Sequence, residues 1–137
     1  SVVHSVGGWV ALVGVFRLGP RRRRFTADGS PRVLRAHDLS FAALGVFILW
    51  FGWWGFNGGS TLAVDERIGL VLLNTNLSAA MGGLVAFAHA HVAGHRDLAE
   101  KFLGGILGGL VAVTAGCHLV TPMGALAIGA IAGLVHN

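Results

Sequence analysis

Five apolar runs divide the chain. They extend over about Ser1 to Leu18, Leu39 to Leu62, Ile68 to His91, Phe102 to Leu119 and Pro122 to Val135. None contains Asp, Glu or Lys, and their only arginine is Arg17, at the end of the first. A helix that crosses a bilayer needs about 20 apolar residues, so five use about 100 and leave a minority of the 137 for loops. The pattern predicts an all-α integral membrane protein with five transmembrane helices in a single membrane domain over 1–137. Proline sits naturally at a helix start, so the turn near Thr121-Pro122 predicts a helical hairpin of runs four and five. The chain has no initiator methionine and opens on an apolar run without a charged leader region. That opening reads as a piece of a longer protein, not as a signal peptide.

Composition narrows the classes further. Apolar residues make up 54% of the chain and charged residues 12%, with a mean hydropathy of +0.71. An average soluble domain carries about 25% charge, so this chain cannot cover a soluble surface. Disorder requires low hydrophobicity, and a disulfide scaffold requires more than the single Cys117.

Charge sets the orientation. Of ten basic residues, seven (Arg17, Arg21, Arg22, Arg23, Arg24, Arg32 and Arg35) lie between runs one and two, and two (Arg96 and Lys101) between runs three and four. Only Arg67 lies between runs two and three. Alternate loops share a side, and the positive-inside rule makes the basic side cytoplasmic. The N-terminus is then outside and the C-terminus inside. Arg21 to Arg24 serve as a topology anchor that can touch anionic lipid; between two spans they do not read as a nucleic-acid patch.

Small residues recur four apart: Gly104, Gly105, Gly108 and Gly109 in run four, Ala125, Gly129 and Gly133 in run five, and Ser78, Gly82 and Ala86 in run three. Such strips let helix backbones approach closely, which predicts a tight bundle. Polar residues within the runs are costly in hydrocarbon and belong to the bundle interior. His4 fits either a bond to a neighbouring helix or a pore-lining role. Trp53, Phe56, Asn57 and Ser60 fall on one helical stripe. That stripe fits either an interfacial aromatic belt or a site for a small cation held by aromatic faces. Asn74, Thr75, Asn76 and Ser78 are placed for interhelical hydrogen bonds. His89, His91 and His95 form an HxHxxxH run, which does not carry a metal assignment. No intramembrane carboxylate, HExxH or Ser/His/Asp constellation points to an enzyme, and nothing calls for a cofactor.

Several of these stretches resemble the Amt/Mep ammonium transporter family. GWWGFNGGS at 52–60 is similar to that family's sixth-helix signature, and its GFN separates it from the Rh branch. VVH at 2–4 resembles the fifth helix, Asn74-Thr75 the seventh, GGLVAVTAGC at 108–117 the eighth and GALAIGAIAGLV at 124–135 the ninth. The resemblance implies an eleven-helix, inverted-repeat fold, of which this chain supplies helices five to nine. It further implies homotrimers with one pore per subunit, in a bacterial inner membrane. His4 then matches a pore histidine, Phe56 a gating phenylalanine and Ser60 the outer ammonium-recruitment site. Trp53, Asn57 and Thr114 match positions lining the pore. The second pore histidine is expected beyond Asn137, and a cytoplasmic PII-type regulator is an expected partner, with the Arg-rich loop a candidate contact. Ala115 replaces a common proline, His118 is unusual, and Trp54 stands where phenylalanine is frequent. The function implied is ammonium or ammonia transport; the alternative is an ammonium-sensing membrane domain of a signalling protein.

Overall fold

The computed structural model describes residues 2–32 and 37–137. Ser1 and Arg35, named above at the start of the first run and in the basic loop, lie outside the described residues. The chain forms two compact units, Ser1–His37 and Asp38–Asn137.

The first unit holds α1, Val2–Leu18, and a loop. Every apolar side chain of α1 remains accessible, as expected for a helix whose neighbours are lipid or other spans. Gly19, at φ +67°, closes the helix by donating to the Val15 carbonyl (3.0 Å), and Pro20 prevents its continuation. The loop then folds back on itself through a bridge between Phe25 and Pro31. At its tip the Asp28 carboxylate accepts the hydroxyls of Thr26 and Ser30. Those hydrogen bonds favour the ionised form, so its pKa is lowered from the ordinary 3.8 to about 2.

The second unit is a four-helix bundle. It consists of α2 (Leu39–Gly59), α3 (Arg67–Val92), α4 (Leu98–Thr114) and α5 (Pro122–His136). Asp38 caps α2 by accepting from the Phe41 amide at 3.0 Å. Beyond α3, Gly94 adopts φ +76°, and the amides of Gly94 and His95 reach back to the carbonyls of His91 and Ala90. That pair of bonds is a Schellman closure. Thr121 caps α5 by accepting from the Gly124 amide (3.2 Å), with Pro122 at the first helical position.

Helix α3 is the centre of this unit and packs against α4 and α5 through main chain as much as side chain. A Cβ at Gly109 or Gly129 would fall closer than 3.0 Å to backbone of Ser78, and one at Gly105 or Gly133 would meet the Gly82 carbonyl. The Ser78 hydroxyl adds a bond to the Gly109 carbonyl at 2.8 Å. Above and below these crossings Val71, Ala79, Ile106, Leu110 and Val113 fill the interior. Asn74 pins the α4–α5 turn, donating to the carbonyls of Cys117 (2.9 Å) and Val120 (2.8 Å).

Helix ends depart from the apolar runs at several points. Helix α2 stops at Gly59, with Ser60 as its cap and Leu62 at φ +56°, although the apolar run continues to Leu62. Helix α4 starts at Leu98, ahead of the apolar run, because Glu100 suits a helix N-terminus. It ends at Thr114, where bonds of Gly116 to Val113 and Leu119 to Gly116 tighten the chain into turns. Apolarity marks where a segment is buried in protein or lipid, and helical hydrogen bonding obeys separate end rules. Among the described residues, two helices, α2 and α3, are long and apolar enough on their own to cross a membrane.

Candidate functional site

The C-terminal half of α2 carries an aromatic run in which Trp53 and Phe56 lie with ring centroids 5.7 Å apart. Three polar ties hold this half against the bundle. Trp53 Nε1 donates to Thr114 Oγ1 on α4 at 2.8 Å, and that hydroxyl donates onward to the Leu110 carbonyl at 2.6 Å. Asn57 Nδ2 donates to Thr75 Oγ1 on α3 at 3.0 Å, and Thr75 in turn donates to the Val71 carbonyl. Trp50 Nε1 and Trp54 Nε1 both donate to Asn76 Oδ1 on α3, at 2.7 and 3.0 Å.

The partners fix the amide orientations. An indole N–H can only donate, so Asn76 must turn its oxygen to the two tryptophans. Thr75 has committed its proton to Val71, so it can only accept from Asn57.

Sequence-predicted site residues therefore occupy different environments. Trp53 and Thr114 meet directly, and Trp53 contacts Phe56. Asn57 is buried against Thr75. Phe56 is 40% exposed, and Ser60 is exposed at the end of α2. The Ser60 hydroxyl donates to the Phe56 carbonyl at 2.5 Å. Its proton is thus engaged, and the hydroxyl oxygen keeps its capacity to accept. His4 lies on α1 in the first unit, partly exposed.

The polar group on α3 acts as the sequence indicated: Asn74, Thr75, Asn76 and Ser78 each engage another segment. What sequence reading missed is the pairing. Thr75 was not linked to Asn57, nor Asn76 to Trp50 and Trp54. The available signal was the spacing of Trp50 and Trp54, four apart on one helix, which presents two indole donors to one facing acceptor.

Apolar helices cross-tied by interhelical hydrogen bonds, with close backbone contacts at small residues, form the architecture of a polytopic membrane protein. The family model described as Ammonium Transporter Family matches residues 1–137. The chain is 45% identical over 136 residues to "Ammonium transporter Amt2" of Archaeoglobus fulgidus, covering 98% of this chain and 29% of that protein. It is 37% identical over 149 residues to "Ammonium transporter 1 member 2" of Arabidopsis thaliana, covering 98% and 29%. Among solved structures, "Sensor Amt Protein" superposes with a TM-score of 0.92 at 47% identity, over 98% of this chain and 33% of that one. Candida albicans Mep2 superposes with a TM-score of 0.79 at 30% identity, over 93% and 28%. The chain belongs to the ammonium transporter family, whose members are transporters and not enzymes. It spans about a third of the length of the relatives it matches.

Proposed function

We propose that this chain forms part of the path by which ammonium or ammonia crosses a membrane. The observation that carries this is the aromatic half of α2, whose indole donors are all taken up by bonds within the bundle. Trp53 spends its donor on Thr114, and Thr114 spends its own on Leu110, so this wall offers ring faces and few N–H or O–H groups that would hold water. Ammonium is strongly solvated, and a bare cation in hydrocarbon costs many kcal/mol. In this reading the Ser60 hydroxyl oxygen and the nearby aromatic faces replace part of its water. Phe56 excludes hydrated ions, Asn57 and Thr114 hold the lining in place, and His4 serves as the pore histidine that relays a proton or holds ammonia in line.

The same reading makes the protein a homotrimer in a bacterial inner membrane. The Arg-rich loop is cytoplasmic, touches anionic lipid, and offers a contact to a PII-type regulator.

The likeness to "Sensor Amt Protein" favours a second reading, in which the same binding chemistry reports ammonium to a signalling domain. One experiment addresses both. Cells lacking their own ammonium uptake are supplied with the full-length protein and grown on limiting ammonium. Transport predicts rescued growth that Phe56→Ala or His4→Ala diminishes; a well-expressed chain that gives no rescue rejects transport and leaves sensing.

A further inference from the structure

Of the three ties on α2, the one through Asn76 is not accounted for by the roles given above. Trp50 and Trp54 are one helical turn apart and share a face, so both indoles reach the same oxygen. A single acceptor holding two donors from successive turns restrains tilt as well as rotation. The ties of Trp53 to α4 and of Asn57 to α3 restrain neighbouring faces of the same helix. With all three in place, α2 has one rotational setting. Phe56 lies within two residues of Trp54 and within one turn of Trp53, so its ring direction follows that setting. The lever is large enough to matter. At the side-chain radius of roughly 5–6 Å, about 20° of helix rotation would carry a ring by about 2 Å.

The surroundings make this tie adjustable. Trp54 is 41% exposed, and Asn76 lies with Phe47, Trp50, Phe51 and Trp54 along an open cleft of about 320 Å³. The interior crossings, in contrast, are locked by backbone contact at Gly109 and Gly129. Asn76 is itself not among the buried core residues, so removing its oxygen would free both indoles from their acceptor, although Trp50 also packs against the core.

We propose that Asn76 is a positioning residue: by accepting both indole N–H groups it sets the rotation of α2, and through it the Phe56 ring, and so contributes to selection between ammonium and bulkier amines. The inference rests on the reading of Phe56 as the gate. The test measures uptake of ammonium and of methylammonium by the full-length protein in proteoliposomes. Variants are Asn76→Leu, Asn76→Asp, and the double change Trp50→Phe with Trp54→Phe. Asn76→Leu keeps bulk and loses the acceptor; Asn76→Asp keeps length and acceptor.

Loss of both bonds should change the ammonium-to-methylammonium ratio about tenfold, the scale of two net hydrogen bonds. The double tryptophan variant should match it, and Asn76→Asp should stay within about twofold of wild type. If Asn76→Leu does not fold, the double tryptophan variant, which leaves Asn76 in place, decides the matter. A wild-type ratio in Asn76→Leu, or in the double variant, overturns the inference while leaving transport standing. A wild-type chain that moves neither amine overturns the transport reading and this inference with it.

Discussion

At the scale of single residues, hydroxyl and amide protons decide what the aromatic half of α2 can offer. Thr114 is the pivot, accepting from Trp53 and donating to Leu110. Thr114→Val removes the acceptor while keeping the shape. The indole N–H then loses this acceptor in a part-buried place, which costs about 1–3 kcal/mol. We expect a lowered melting temperature in detergent together with altered amine selectivity, because the Trp53 ring and the Phe56 ring beside it move. A variant with unchanged melting and unchanged selectivity would show that the bond neither stabilises nor orients. The type of these residues was legible in the sequence; their pairing was not. A stripe on one helix says which residues share a face, but Trp53 and Asn57, four apart, chose partners on different helices. That choice depends on where α3 and α4 cross α2, which no local pattern encodes.

At the scale of elements, the small-residue spacing was the more informative signal. Ser78 and Gly82 of α3, four apart, face Gly105 and Gly109 of α4 and Gly129 and Gly133 of α5. The spacing was readable because every helix repeats its face after four residues. The resulting contacts differ in kind, and this yields a contrast. At Gly109 an added methyl meets the Ser78 carbonyl and main chain, which cannot yield without parting the helices. At Gly104 it meets the ring of His136, near the end of α5, which can swing aside. Gly109→Ala should therefore destabilise by about 1–3 kcal/mol, the usual cost of overpacking, and Gly104→Ala by clearly less. Thermal unfolding of both variants side by side checks this, and equal effects would contradict backbone contact as the cause. Helix ends were less legible. The run through Leu119 is apolar throughout, yet the helix stops at Thr114, because turn hydrogen bonds and not hydropathy set the boundary.

At the scale of the whole molecule, the chain belongs to the ammonium transporter family along its full length. Composition and the five apolar runs made the membrane class legible, and GWWGFNGGS with the other motifs made the family legible. Of the candidate site, the residue types were legible and their partners were not, since Trp53 meets Thr114 on α4 and Asn57 meets Thr75 on α3. The proposed orientation rests on nine of ten basic residues falling in alternate loops, which the positive-inside rule would make cytoplasmic. A cysteine placed in the Arg21 to Arg24 segment should resist an impermeant thiol reagent in intact cells and react after permeabilisation. The native thiol adds little background, as Cys117 is only 4% exposed. Efficient labelling from outside would reverse the topology.

The central proposal, that the protein containing this chain carries ammonium and does so through the residues named, is tested most directly by flux across a sealed membrane. The full-length protein is reconstituted in proteoliposomes, and an ammonium concentration jump is applied while uptake or current is followed. The account predicts a saturable ammonium-dependent response in wild type that His4→Ala abolishes or makes unselective, with the variant still folded and incorporated. A folded, incorporated wild-type chain with no response above protein-free vesicles would contradict it, as would a His4→Ala variant with wild-type flux and selectivity.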